Sequence, residues 1–294
     1  MKNTKLWINI LWVLVVLLSA AQLTNTLFSL GFLVVLVLVA AGFALIHGAQ
    51  RYGWTGMVTF LVLCLVVSNV LENTSILSGF PFGHYHYTGS GKLFLVPLFI
   101  GPAYFATAYL AWTLAIVLIG DLRRNGSWLM TVAVPFVAAA FMVMWDLTLD
   151  PSASTTNHVW IWEQGGGYFG VPMSNYLGWF FTVYLFLQLF AVYVRFRGAS
   201  DEASQALPRS YYLQPIISYA VAGLTAVLSY LVLSSNSLVT DPAGVVWQTR
   251  SIAEAEATIA IFTMIFVSVL GGIKLFQRSA DVHHTVEART DIAA

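Results

Sequence analysis

The chain of 294 residues is 59% hydrophobic and only 9% charged, against roughly 25% charged residues in a soluble domain, which excludes an ordinary aqueous globular protein. Its formal charge is zero and it carries no basic run, so the electrostatic footprint of a nucleic-acid binder is missing. A single cysteine, Cys64, sits inside an apolar stretch, which excludes a disulfide framework and a cysteine-built metal site and leaves packing as its ordinary role.

A hydrocarbon core of about 30 Å demands ~20 apolar residues of each helix that crosses it. Runs of that length alternate with turn signals and predict eight transmembrane helices, near 6–23, 27–47, 54–73, 93–119, 128–149, 174–194, 211–234 and 252–276. The first run follows Lys2 and Lys5 and closes on Ser19-Ala20-Ala21, a pattern shared by cleaved leaders and spanning helices; its length favours a retained helix. The connections near 74–92 and 150–173 are long and rich in Gly, His, Tyr and Trp, as in lids rather than linkers. Residues 1–277 therefore read as one transmembrane helical domain and 278–294 as a short tail. The predicted fold class is an all-α, polytopic membrane bundle with both termini cytoplasmic.

Charge sets the orientation, because Lys and Arg concentrate on cytoplasmic loops. With the N-terminus inside, Lys2, Lys5, Arg51, Arg123, Arg124, Arg195, Arg197, Arg209, Lys274, Arg278 and Arg289 fall inside, and only Lys92 and Arg250 fall outside. The acidic and histidine residues distribute the other way, with Glu72, His84, His86, Asp146, Asp150, His158, Glu163, Asp241, Glu254 and Glu256 at the outer side. Chemistry is thus expected at the non-cytoplasmic face of a multi-pass protein of the cell membrane.

Asn69, Glu72 and Asn73 share one face of the third predicted helix, and Asp146 and Asp150 share a face at the end of the fifth, before Pro151 stops it. Carboxylates at that depth either snorkel to headgroups, act as polar glue between helices, or line a wet functional cavity. The run Gly79 to Thr88 alternates, which predicts His84 and His86 on one side of an extended segment and Tyr85 and Tyr87 on the other. Two histidines two apart near Glu72 are a weak metal signal; hydrogen bonding to hydroxyls or carboxylates is their ordinary role. Gly89-Ser90-Gly91-Lys92 lacks the spacing of a phosphate loop. Trp160-Ile161-Trp162 and Gly165 to Pro172 suit either an interfacial aromatic belt or a lid whose rings stabilise positive charge. Ser251-Ile252-Ala253-Glu254 reads as a capping box opening the last helix, while Glu256 has no such role and ranks behind Glu72 and Asp146.

Together, Leu71-Glu72-Asn73, Gly83-His84-Tyr85-His86-Tyr87, Trp145 to Pro151, Trp160-Ile161-Trp162 and Gly167 to Trp179 resemble the carotenoid hydratases of the CruF-type carotenoid biosynthesis family. The matches run from about residue 70 to 180, and the last block is the most specific. The resemblance implies hydration of the terminal 1,2 double bond of an acyclic carotenoid end group, without a cofactor. It further implies a carotenoid, water and the lipid bilayer as partners, with contacts to other enzymes of the pathway. Such a reaction needs a carboxylic acid in a dry place and a water to capture the tertiary cation. Asp146 is the first candidate acid, with Glu72 orienting water or taking its proton, and the two roles can be exchanged. Asp150, His84 and His86 are expected to tune the pair. Tyr85, Tyr87, Trp160, Trp162, Tyr168, Asn175, Trp179 and Asn73 are expected to line the substrate pocket.

Three other readings use some of the same residues. Asp146-x-x-x-Asp150 suits an intramembrane prenyltransferase, although a second aspartate-rich motif and a basic cluster for pyrophosphate are missing. His84, His86 and His158 with a carboxylate suit a metal-dependent lipid hydrolase. A transporter or retinal-type receptor lacks its hallmark, because no lysine lies in mid-membrane.

Overall fold

The computed structural model describes residues 4–29, 31–197, 207–232 and 236–277; the predicted tail, 278–294, lies outside them. In lipid every backbone N–H and C=O must be paired within its own segment, which leaves these apolar runs little choice but helix. The helices are α1 (Thr4–Phe28), α2 (Leu33–Ser78), α3 (Ile100–Ile119), α4 (Trp128–Leu147), α5 (Met173–Arg197), α6 (Arg209–Val232) and α7 (Thr249–Gln277). All seven belong to segments long and apolar enough to cross a membrane.

The eighth predicted pass is inside α2. Its 46 residues contain Gly53 at φ 69° and ψ 168°, outside any helical conformation and open essentially to glycine alone. Beyond it the chain folds back: a Cβ placed on Gly48 would lie 2.4 Å from the Met57 sulfur, where a straight helix would separate those Cα atoms by about 13 Å. The two arms, 33–52 and 54–78, therefore run in opposite directions along α3. His47 and Tyr52 of the first arm meet Tyr109 and Trp112, whereas Phe60 and Glu72 of the second meet Phe105 and Tyr104.

The inner face of α3 is the centre of the bundle, where Tyr104, Phe105, Tyr109 and Trp112 are fully buried. Phe60, Phe186 and Phe190 pack around Trp112 or one another, and Cys64 is buried in the same core. α1 lies outside this core, packing Ile8, Leu11, Val15 and Leu18 inward, and the Gln214 amide of α6 donates to the Ile8 carbonyl at 2.9 Å. One end of the bundle gathers the basic loops: Arg51 pairs with Asp121, and Arg195 lies 4.1 Å over the Trp128 ring. The other end carries three small antiparallel ribbons: β1 (Tyr85–Tyr87) with β4 (Trp160–Trp162), β2 (Lys92–Leu93) with β3 (Val96–Pro97), and β5 (Leu238–Thr240) with β6 (Val246–Gln248).

Three local expectations change. The fourth predicted helix starts at Ile100 rather than near 93, because Lys92–Pro97 fold as the β2–β3 hairpin with Phe94 at φ 56°. Pro151 does not end α4, which stops at Leu147; it opens a π-helical turn, Pro151–Thr156, with Asp150 at its N-cap. Proline suits such a first position because its missing N–H has no partner to lose there. The capping box at Ser251 is not formed, since α7 begins two residues earlier at Thr249 and Glu254 is exposed.

Candidate active site

The β1–β4 ribbon organises the end of the bundle opposite the basic loops. Its register pairs Tyr85 with Trp162, His86 with Ile161 and Tyr87 with Trp160. Successive side chains on a strand point to opposite faces, so Tyr85, Tyr87 and Trp162 are buried while His86 is exposed. The tyrosines meet Glu72, which is 2% exposed. Tyr85 and Tyr87 both donate to Glu72 Oε2, Tyr87 at 2.9 Å, and Tyr104 donates to Oε1 at 2.7 Å. Burial, and then the neighbouring Glu72 charge, push the Tyr85 and Tyr87 hydroxyls well above their usual range, so both remain neutral donors.

Two close approaches hold this arrangement. Ser75, one turn beyond Glu72, donates to the Gly83 carbonyl at 2.8 Å and accepts from the Phe82 amide at 3.0 Å. Gly178 of α5 lets that loop sit directly on the helix: a Cβ there would lie 2.9 Å from Phe82 Cα. Next to it, Trp179 stacks on Tyr104 with centroids 4.1 Å apart, and so closes the Glu72 side with an aromatic wall.

A second carboxylate group lies on the same face of the ribbon, beneath its other strand. Asp146 and Asp150 are each 1% exposed. One amide nitrogen of Asn175 donates to both, at 2.8 Å to Asp146 and 2.6 Å to Asp150. The Trp160 indole N–H donates to the other Asp150 oxygen at 2.6 Å. The π turn keeps Asp150 in place, with Ser154 Oγ donating to its carbonyl at 2.7 Å. Glu256, buried on α7, accepts from both the Ser152 amide (2.7 Å) and the Ser152 hydroxyl (2.6 Å). Asp146 and Asp150 are near enough to Glu72 to interact with it electrostatically.

The remaining predicted residues are placed elsewhere. The His84 ring packs against Gly79, and His86 faces outward toward Glu163, 3.5 Å away, both about half exposed. Neither reaches a carboxylate of the two clusters. His158 is exposed, its ring against the Ser154 carbonyl. Asn73 fastens the β2–β3 hairpin by accepting from the Leu95 amide at 3.0 Å. Tyr168 donates to the Leu147 carbonyl at 3.1 Å, at the end of α4.

A family model described as carotenoid biosynthesis protein matches residues 31–242. The chain belongs to the carotenoid biosynthesis protein family. It is also similar to the bisanhydrobacterioruberin hydratase of Haloarcula japonica, 30% identical over 122 residues that cover 40% of this chain and 39% of that one. The chain thus matches about two fifths of that curated relative's length. No solved structure matches it.

Within this carotenoid biosynthesis protein, four residues at the ribbon end of the bundle were absent from the predicted site. Tyr104 and Tyr176 sit in apolar helices, where a tyrosine reads as core filler, and only the fold reveals that one bonds Glu72 and that the other holds a buried hydroxyl without a hydrogen-bond partner. Ser152 carries no pattern at all. Glu256 did give a signal, an acidic residue in an apolar helix without a capping role, which is costly unless something uses it.

Proposed function

We propose that this carotenoid biosynthesis protein is a membrane-embedded hydratase that adds water across the terminal 1,2 double bond of an acyclic carotenoid end group. The observation that carries this reading is the pairing of two buried carboxylate sites of different character under the inward face of one aromatic ribbon. Asp146 and Asp150 share a single amide donor, an arrangement in which like charges out of water are relieved by one shared proton. Glu72 is surrounded by three hydroxyl donors, which suits a fixed anion.

The proposed chemistry follows. Asp146 passes its proton to C2, the π electrons form the new C–H bond, and C1 becomes a tertiary cation. The faces of Tyr87, Trp160 and Trp179 and the charge on Glu72 favour that cation. A water oxygen then forms the C–O bond at C1, and its proton leaves to Glu72. Of the four lone-pair sites on a carboxylate, three on Glu72 are taken by tyrosines, leaving one on Oε1 to orient that water. The sum is addition of H2O, with no electron transferred, so the reaction calls for no redox cofactor.

The substrate is an apolar polyene that reaches the site from the lipid, and the charge asymmetry of the loops supports a site on the non-cytoplasmic side of the cell membrane. The test is expression in a carotenoid-producing host grown in water enriched in heavy oxygen. Mono- or dihydroxylated carotenoid carrying the label is the expected product. Unchanged pigment, or hydroxyl oxygen drawn from O2, would refute the reading. In the same assay Asp146→Asn and Glu72→Gln should each abolish product while the protein remains folded in the membrane.

A further inference from the structure

Trp160 and Trp162 lie on the same face of β4, yet their indole N–H groups differ. Trp160 is anchored, donating to Asp150 at 2.6 Å. Trp162 is only 4% exposed, and its N–H has no hydrogen-bond partner. A buried donor left unpaired is unfavourable by about 1–3 kcal/mol, which calls for an acceptor that the protein itself does not supply. The ring is held by its opposite edge: its Cζ3 corner lies 3.6 Å from where a Cβ on Gly83 would stand, and its face tilts against Tyr85 with centroids 4.8 Å apart.

Trp162 also walls a pocket of about 270 Å³ between the π turn and the β5–β6 hairpin. Buried Ser154, Thr155 and Asp241 form its floor, and exposed His158, Thr240 and Pro242 form its mouth. Asp241 is engaged by the Val245 amide at 2.9 Å and the Trp247 indole at 2.8 Å, so it serves the hairpin rather than an ionic ligand. Ser154 and Thr155 donate their hydroxyl protons to backbone carbonyls, which leaves their oxygens free to accept. A hydroxyl-lined space of this volume suits several water molecules, at about 30 Å³ each in the liquid, and is far too short for a polyene.

The floor of the pocket adjoins the carboxylates. Ser154 Oγ donates to the Asp150 carbonyl at 2.7 Å, and Tyr85, on which Trp162 leans, donates to Glu72. The proposed hydration needs a boundary of this kind. Its carotenoid comes from the lipid, but its other substrate is water, and Glu72, Asp146 and Asp150 are only 1–2% exposed. Open access would expose the acid and the cation to bulk solvent; no access would leave the cation uncaptured.

We propose that this pocket is the water entrance of the site and that the Trp162 N–H is its inner binding point, donating to a water oxygen before that water passes to Glu72. Displacing the Trp162 indole breaks no hydrogen bond of the protein, whereas moving Trp160 would release Asp150. Water and polyene therefore arrive by separate doors. Trp162 binds the water and takes no part in proton transfer.

The inference rests on the hydratase reading, and purified protein in lipid vesicles with an acyclic carotenoid tests the two separately in deuterated, heavy-oxygen water. Captured cations appear as alcohol carrying the oxygen label. A cation that meets no water gives a proton back from C2 or a methyl group, re-forms a double bond, and carries deuterium into the recovered carotenoid. If the wild type forms no labelled alcohol, both readings fall. If it does, Trp162→Phe, which keeps a ring and removes the N–H, should lower the alcohol about tenfold and raise the ratio of deuterated carotenoid to alcohol. Thr240→Trp, which places a ring over the mouth, should do the same, and Leu238→Trp, equally bulky on the same strand but outside the pocket, should match the wild type. Should Thr240→Trp unfold the protein, Trp162→Phe alone decides. Wild-type alcohol in Trp162→Phe, or alcohol and exchange falling in parallel, would overturn the water entrance and leave the hydratase reading standing.

Discussion

Tyr87 and Trp160 face each other across the β1–β4 ribbon, ring centroids 5.9 Å apart, and each directs its polar hydrogen to a different carboxylate, Glu72 for Tyr87 and Asp150 for Trp160. Two strands of three residues thereby tie a carboxylate of α2 to one at the end of α4. Separating the contributions of those two hydrogen bonds is the most direct test of the site.

Tyr85→Phe, Tyr87→Phe and Tyr104→Phe each remove one donor from Glu72 and leave the ring in place. A hydrogen bond to a charged group contributes about 1.5–3 kcal/mol, so each variant should lower the hydration rate by about tenfold to a hundredfold. The double variant Tyr85→Phe/Tyr104→Phe should lose more than either single one, because it removes a donor from each oxygen of Glu72 and leaves only Tyr87. Product yield per protein at matched expression is the measurement, and wild-type rates in all three singles would dissociate the tyrosine cage from the chemistry.

Trp160→Phe keeps an aromatic ring against Tyr87 and removes the donor to Asp150. It should reduce hydration, while Trp160→Leu, which loses the ring as well, should reduce it further and lower the unfolding temperature. Equal effects of the two substitutions would place the role of Trp160 in packing alone.

Asn175→Asp brings a third carboxyl group between Asp146 and Asp150, whereas Asn175→Leu removes the shared donor without adding charge. Like-charge crowding in a dry site is the more damaging change, so Asn175→Asp should be the less stable and less active of the two. Thermal unfolding in detergent and the labelled-product assay report the order.

His86→Ala is expected to change hydration little, since the ring is half exposed and its contact with Glu163 is a surface pair, of a kind worth about 0–1 kcal/mol. A large loss in this variant would relocate the site toward the outer side of the ribbon.

Gly53→Ala and Gly166→Ala test the backbone. Gly53 has φ 69° and ψ 168°, a region that costs a non-glycine residue on the order of 1–3 kcal/mol. At Gly166 the added carbon would lie 2.1 Å from the Val171 carbonyl carbon, so the loop carrying Tyr168 must move. Gly53→Ala should lower stability with the chemistry of folded molecules preserved; Gly166→Ala should impair hydration more than stability.

The spans were legible in the sequence because lipid rewards uninterrupted apolar runs whatever their neighbours. Their limits were less so: Leu93 to Phe99 is as apolar as a helix, yet Pro97 and the turn at Phe94 fold its first half into a hairpin. The alternation at 85–87 separates His86 from the two tyrosines, but which set faces inward depends on pairing with β4, some 75 residues on. Chemical habit draws attention to the histidines, whereas burial selects the tyrosines. Glu72, Asp146 and Asp150 stood out because charge in an apolar run is conspicuous. Tyr104 and Tyr176 did not, because a hydroxyl on an aromatic ring is not.

The burial of Cys64 in the core makes this chain a natural background for thiol labelling. The sequence has only that cysteine, and it has no exposed surface. A cysteine introduced at the exposed His86 position becomes the thiol that a water-soluble maleimide can reach. Reaction in intact cells, before lysis, would assign the ribbon to the outside of the membrane, and reaction only after lysis would assign it to the cytoplasm.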